Sequence, residues 1–121
     1  MGRVTAAALD AVCVVAFAAL GRASHGEALD LVGVTTTAFP FLIAAAVGWA
    51  LVLLRKRDGV APTDGVWIWL VTLAGGMVLR RLLGDGTALA FVIVAALALA
   101  LLLIGWRGVA RLVRRTPAPR A

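Results

Sequence analysis

Hydrophobic residues fill four long blocks of the chain, and three short polar segments separate these blocks. The blocks cover residues 4–21, 31–54, 66–83 and 87–106. An α-helix of about 20 apolar residues is long enough to cross the roughly 30 Å of hydrocarbon in a bilayer. The pattern therefore predicts an all-α protein, a polytopic four-helix transmembrane bundle that forms a single domain over residues 1–121.

The polar segments between the blocks are too short to hold another domain. Residues 22–30 are mostly polar, and residues 55–65 are basic and contain two Asp-Gly pairs, which are typical of turns. Only residues 84–86 separate the last two blocks. So short a link forces the third and fourth spans into an antiparallel hairpin.

The composition agrees with a lipid environment. Of the 121 residues, 63% are hydrophobic and 15% are charged, whereas about a quarter of a typical soluble domain is charged. The net charge of +6 would suggest nucleic acid for a soluble protein, but the basic residues cluster at the span ends, so no nucleic-acid partner is expected. The single cysteine, Cys13, excludes an internal disulfide and a CxxC metal site, and no motif indicates a cofactor.

The distribution of basic residues predicts the orientation of the chain. Lys and Arg are enriched on the cytoplasmic side of membrane proteins. Nine of the twelve here flank one side of the predicted bundle: Arg3, Arg55, Lys56, Arg57, Arg107, Arg111, Arg114, Arg115 and Arg120. Both termini, the middle loop and a basic tail over residues 107–121 are therefore expected in the cytoplasm, against the anionic lipids of the inner (plasma) membrane. Trp67, Trp69 and Trp106 are expected to anchor the spans at this interface.

The first block has an alternative interpretation as a cleavable signal peptide. Arg3 precedes an apolar stretch, and Ala16-Phe17-Ala18 fits a small-residue cleavage site. Cleavage would leave three spans and a new N-terminus outside. Asp10 within the apolar stretch argues against this interpretation.

The opposite side of the predicted bundle gathers polar side chains in two short segments. They are Arg22, Ser24, His25 and Glu27 after the first span, with Asp30 beyond, and Arg80, Arg81 and Asp85 at the last turn. In one interpretation they form surface ion pairs with each other and with lipid phosphate, each contributing under about 1 kcal/mol. In the other they form an entry site for an anion or a proton. Arg80 is the residue that best distinguishes these two interpretations. It lies a full turn inside its span, where a charge costs about 2.5–3.5 kcal/mol unless the side chain reaches the headgroups or forms an ion pair.

Asp10 is a candidate intramembrane carboxylate. It lies six residues into the first span, roughly 9 Å deep at about 1.5 Å per residue, and the outer arginines are too far away to pair with it. Candidate partners are Arg55, Arg107 and the Thr72 hydroxyl; otherwise the carboxyl would be protonated. It is either half of an ion pair that joins the first span to the second or fourth, or a proton-coupling carboxylate.

Small residues and a proline predict how the spans pack. Pro40 lies inside the second span after three threonines, whose hydroxyls can bond the carbonyl that the proline frees. Gly75-Gly76 in the third span, and Ala44 with Gly48 in the second, allow helices to approach closely. These positions predict packing seams within the bundle or between subunits.

Three stretches of the chain together resemble an uncharacterised prokaryotic membrane-protein family, the domain of unknown function 3054. They are Asp10 with residues 17–26, residues 39–49 from Phe-Pro-Phe to Gly-Trp, and residues 76–81 with 86–92. The resemblance covers nearly the whole chain up to Trp106, with Phe39 standing where a tryptophan is expected. It implies the same membrane architecture, emphasises the outer polar cluster and brings no known activity.

Two functions are compatible with these features. The first is a small oligomeric transporter or channel for an anionic or proton-coupled solute, with the outer arginines gathering the solute and Asp10 gating the inner end. Because four helices rarely enclose a pathway, the route would lie between subunits of a homo-oligomer. The alternative is a non-transporting membrane component that binds lipid headgroups or scaffolds a partner membrane protein. An enzyme is not expected, since one histidine and no glycine-rich phosphate loop leave neither a metal cluster nor a nucleotide site.

Overall fold

The computed structural model describes residues 2–24 and 26–115, and its secondary structure is entirely helical. The four helices are α1 (Arg3–Ser24), α2 (Leu31–Leu54), α3 (Pro62–Leu82) and α4 (Leu89–Arg115). Each is long and apolar enough to cross a membrane. The predicted all-α fold with four membrane-spanning helices is confirmed, while the direction of insertion stays a prediction.

The helices pack in a ring in chain order. Helix α2 packs most extensively against α3, and α4 contacts both α3 and α1, while α1 also contacts α2. Within the described residues the diagonal pairs, α1 with α3 and α2 with α4, make no contact between backbones. Short loops join neighbours in this ring, so consecutive helices are antiparallel and one end of the bundle carries the loop between α2 and α3.

Helix α3 begins four residues earlier than predicted, at Pro62 rather than at residue 66. The ring of Pro62 fixes a helical φ at the first position of α3, where its missing N–H costs nothing. Asp64 and Gly65 therefore lie in the first turn of α3 and are buried, which corrects the prediction of a turn at this Asp-Gly pair. The other pair does form a turn: Asp58 Oδ1 accepts a hydrogen bond from the Val60 N–H at 3.1 Å, and Gly59 has a φ of +78°.

Helix α4 continues without a break into the segment predicted to be a basic cytoplasmic tail. It ends at Arg115, and Arg107 is buried inside the bundle rather than lying on the membrane surface. Arg111 and Arg114 are exposed, as the tail prediction expected. The rest of that segment, residues 116–121 with Arg120, lies outside the described residues.

The predicted seam of small residues lies between α2 and α3. A Cβ atom added to Gly76 would overlap the ring of Phe41, one added to Gly75 would come within 3.0 Å of Ala44, and one added to Gly48 would meet Val71 at 3.5 Å. Helix α2 continues through Pro40, which is buried. These small residues therefore serve packing inside the bundle.

Three phenylalanines fill the core next to this seam. The Phe17 and Phe41 rings meet edge to face with their centroids 5.2 Å apart. Phe91 lies 6.2 Å from Phe17 and 6.3 Å from Phe41. The cluster thus joins α1, α2 and α4.

The close approach at Gly76 gives a first prediction. Gly76→Ala should lower the free energy of unfolding by about 1–3 kcal/mol, the usual range for an overpacked core, because the new methyl group displaces the Phe41 ring. Unfolding in mixed micelles of mild detergent and SDS, followed by circular dichroism, measures the change. Gly105→Ala on α4 is the control, since a Cβ there meets nothing within 4 Å. Equal stability of the two variants would contradict the proposed tight seam.

Candidate functional site

A buried ion pair joins the first and last helices. The Arg107 guanidinium on α4 binds the Asp10 carboxylate on α1 through two parallel hydrogen bonds, Nη1 to Oδ1 at 2.8 Å and Nη2 to Oδ2 at 2.6 Å. The side chains of Asp10 and Arg107 are 1% and 0% exposed. Such a bidentate pair is among the strongest side-chain interactions, because the charges are opposite and the planar guanidinium matches the spacing of the two carboxylate oxygens.

Two tryptophans complete the surroundings of the carboxylate. Trp49 Nε1 on α2 donates to Oδ2 at 2.8 Å, and Trp106 Nε1 on α4 donates to Oδ1 at 2.8 Å. Each carboxylate oxygen of Asp10 therefore accepts two hydrogen bonds. We refer to Asp10, Trp49, Trp106 and Arg107 as the buried network.

The rest of the Arg107 side chain is also held. Its Nε donates to the Gly59 carbonyl at 2.9 Å, and Nη1 donates to the Leu103 carbonyl at 2.8 Å. Gly65 on α3 leaves the space for this side chain, since a Cβ there would lie 2.6 Å from the Arg107 Cδ. The buried network therefore includes residues of α1, α2 and α4, and Arg107 also packs against Gly65 of α3 and bonds to the loop between α2 and α3.

The sequence named three candidate partners for Asp10, and the structure selects Arg107. The Arg55 guanidinium instead lies over the Trp67 ring at 4.9 Å, and Thr72 Oγ1 is buried with no hydrogen-bond partner among the described residues. This geometry matches the interpretation of Asp10 as half of an ion pair between the first and fourth spans. The proton-coupling interpretation stays a prediction.

Two of the three tryptophans expected to anchor the spans donate hydrogen bonds within the bundle, and their position relative to the membrane stays a prediction. Trp106 serves the buried network, and Trp69 Nε1 donates to the Ala96 carbonyl at 2.9 Å, whereas Trp67 is exposed. Sequence reasoning missed Trp49 altogether. A signal was present, because an indole N–H can only donate and Asp10 is the one carboxylate inside the first two predicted spans.

At the other end of the bundle, Arg22 organises the loop between α1 and α2. Its Nη1 lies 3.1 Å from Glu27 Oε2 and its Nη2 lies 3.9 Å from Asp30 Oδ1. Its Nε donates to the Ala28 carbonyl at 2.8 Å, and Nη1 reaches Thr37 Oγ1 at 3.4 Å. The guanidinium therefore holds the loop against the start of α2.

Arg80 occupies the neighbouring position on α3. Its Nε donates to the Gly86 carbonyl at 2.6 Å, and its guanidinium lies over the Phe91 ring at 4.2 Å. Among the described residues no carboxylate lies within 4.0 Å of its nitrogens. Arg80 is thus held in place by a carbonyl and an aromatic face, without a counter-ion.

A cavity of about 340 Å³ separates these two arginines, and we refer to it as the outer cavity. Its lining includes four of the residues predicted from the sequence, namely Arg22, Glu27, Arg80 and Asp85. Thr36 and Thr37, which carry hydroxyl groups, and the aromatic Phe17 and Phe91 also line it. The structure therefore brings together the core of the predicted polar cluster.

The other predicted members of the cluster lie elsewhere. Arg81 is exposed and its Nη1 contacts Thr87 Oγ1 at 3.3 Å. Ser24 is exposed and donates to the Gly21 carbonyl at 2.9 Å. Neither lines the outer cavity, because successive residues on a helix point about 100° apart. His25 lies outside the described residues.

The fold and these two polar sites define a multi-pass membrane protein whose helices are joined at one end by a buried ion pair. Within that class, the chain belongs to the family described as "Protein of unknown function (DUF3054)", whose model matches residues 7–110. The match confirms the family indicated by the sequence. A search of the curated proteins and a search of the solved structures each found no match.

The buried network gives a prediction about stability. Asp10→Asn and Arg107→Met should each lower the free energy of unfolding by about 3–5 kcal/mol, because each leaves the other charge buried without its partner. The double variant should lose clearly less than the sum, since it buries no uncompensated charge. Unfolding in mixed micelles with SDS measures all three, and Arg111→Met, an exposed position on α4, is the control. Strictly additive losses would show that Asp10 and Arg107 do not interact.

Proposed function

We propose that the protein admits a small anionic solute through the outer cavity and passes it across the membrane as a transporter or channel. The observation that carries this proposal is the Arg80 guanidinium, which lines the cavity and lacks a carboxylate partner in the described part of the chain. A guanidinium fixed in a partly enclosed site offers directed, charged donors to an anion. Solute binding would supply the missing counter-ion.

The remaining groups of the outer cavity favour a small anion over a cation. Arg22 adds a second guanidinium with a side chain only 17% exposed, and its charge is paired with Glu27 and Asp30, so Arg80 is the cationic group that an anion would meet. Glu27 and Asp85 also line the cavity, but both are exposed, so water and salt screen their charges more strongly. Thr36 and Thr37 supply hydroxyl groups, which bind either sign.

A route through a single chain is not part of the proposal. Phe17 and Phe91 line the outer cavity and pack with Phe41 in the core of the bundle. Beyond them lies the buried network, with no unused carboxylate oxygen. We therefore propose a path between copies of the chain in a homo-oligomer, with the lipid bilayer around it.

The alternative, a non-transporting component that binds lipid headgroups or scaffolds another membrane protein, stays a prediction. It differs from transport in a measurable way, because a pure lipid-binding or scaffolding protein moves no solute when reconstituted alone. The outer cavity would then hold a lipid phosphate from the outer leaflet.

Anion flux in proteoliposomes tests the proposal. Tracer efflux of chloride, nitrate, fluoride, phosphate and acetate, driven by a potassium gradient with valinomycin, should show transport of at least one anion by the unaltered protein. Arg80→Ala should slow that flux by about ten- to hundredfold, the effect of losing one charged hydrogen bond of about 1.5–3 kcal/mol. Arg80→Lys should give an intermediate rate, because it keeps the charge and loses the planar, stacked donor group.

The matched control is Arg81→Ala, which removes the same charge from the adjacent position outside the outer cavity. Its flux should stay near that of the unaltered protein. If Arg80→Ala and Arg81→Ala slowed the flux equally, the effect would come from general surface charge and not from the outer cavity. Absence of flux for every anion from a correctly folded, oligomeric protein would favour the non-transporting alternative.

A further inference from the structure

A second cavity, of about 620 Å³, lies at the opposite end of the bundle from the outer cavity. It runs between the end of α2 and the start of α3, and we refer to it as the α2–α3 groove. Arg55, Arg57 and Asp64 line its polar end. By the distribution of basic residues, this is the end predicted to face the cytoplasm.

The carboxylate of Asp64 is the unusual feature of the α2–α3 groove. Its side chain is only 4% exposed, and Oδ1 is paired with Arg57 Nε at 2.7 Å. The other oxygen, Oδ2, is buried and has no hydrogen-bond partner among the described residues. Leaving such a group unsatisfied is unfavourable, so Asp64 Oδ2 is an acceptor suited to a donor from outside the chain.

Two guanidinium groups stand at the same end of the groove. Arg57 uses its Nε for Asp64 and its side chain is 51% exposed, which leaves its terminal nitrogens accessible. Arg55 lies over the Trp67 ring with its Cζ 4.9 Å from the ring centroid. The polar end thus presents donors for an anion next to an acceptor for a cationic donor.

The other end of the groove is apolar. Leu51, Val52 and Val71 line it together with Gly48. From Arg55 to Gly48 the groove extends roughly 10 Å along α2, at about 1.5 Å per residue. Its polarity therefore changes from charged to hydrocarbon along the helix axis, as the polarity of a phospholipid changes from headgroup to acyl chain.

We propose that the α2–α3 groove binds a phospholipid with a primary ammonium headgroup, phosphatidylethanolamine. The ammonium donates to Asp64 Oδ2, the phosphate accepts from Arg55 and Arg57, and an acyl chain lies along the apolar end. A choline headgroup fits less well, because its trimethylated nitrogen has no N–H to donate. The site is independent of the proposed transport, since it lies at the other end of the bundle and shares no residue with the outer cavity.

Native mass spectrometry of the delipidated full-length protein in a neutral detergent tests this site. Phosphatidylethanolamine, phosphatidylcholine and phosphatidylglycerol with identical dioleoyl chains are offered in equal amounts. The unaltered protein should retain the ethanolamine lipid over the choline lipid by about tenfold or more, the effect of one charged hydrogen bond. Asp64→Asn should bring this ratio close to one.

The matched control is Asp58→Asn, which removes the same charge from an exposed residue of the loop before α3 that does not line the groove. It should keep the preference for ethanolamine. A second variant, Leu51→Trp, fills the apolar end without touching Asp64 and should lower retention of all three lipids, so the test survives if Asp64→Asn folds poorly.

Three results would overturn the assignment. Equal retention of the ethanolamine and choline lipids by the unaltered protein would remove the role of Asp64 Oδ2, as would an unchanged preference in folded Asp64→Asn. Stronger retention of phosphatidylglycerol than of phosphatidylethanolamine would show that the arginines alone select an anionic headgroup.

Discussion

The ion pair between Asp10 and Arg107 is the constraint on which the rest of this structure depends. Hydrocarbon does not solvate charge, so a buried carboxylate and guanidinium persist only if each finds nearly all its hydrogen bonds within the protein. Arg107 and two indoles saturate the carboxylate, and two backbone carbonyls hold the guanidinium further. The need to enclose and pair the Arg107 side chain explains why a glycine, Gly65, lies where α3 passes Arg107. It also explains why the Gly59 carbonyl in the loop accepts a hydrogen bond from Arg107.

The polar groups of this bundle differ in how completely the fold pairs them. Both carboxylate oxygens of Asp10 accept two hydrogen bonds within the buried network, and these bonds join α1 to α2 and α4. Arg80 in the outer cavity and Asp64 Oδ2 in the α2–α3 groove are different, since each lacks a counterpart in the described chain. An external ligand gains most from a charged or polar group that the fold holds in place but leaves without a hydrogen bond or ion pair, because the ligand can supply that missing partner.

The sequence alone was sufficient to predict the ends of a helix where neighbouring residues set them. Helix α2 coincides with the predicted residues 31–54, because Asp30 caps its start by accepting from the Gly33 N–H at 3.2 Å. The start of α3 and the burial of Arg107 on α4 were misjudged, because charges at Asp64 and Arg107 suggest a loop and a membrane surface. Each is neutralised inside the fold, Asp64 by Arg57 and Arg107 by a residue 97 positions earlier. The sequence named Arg107 as one of three candidate partners of Asp10, and three-dimensional proximity was needed to select it and to add Trp49.

The buried network also limits how such a bundle could move. Separating α1 from the network would break the four hydrogen bonds that Asp10 accepts and leave two charges without partners, at several kcal/mol per ion. A lysine in place of Arg107 could not replace these contacts, because its ammonium lacks the planar fork that reaches both oxygens of Asp10. Conformational change linked to a solute would therefore spare this end and affect the loops around the outer cavity or the contacts between copies. The end held by the ion pair is then a fixed frame against which the outer end can rearrange.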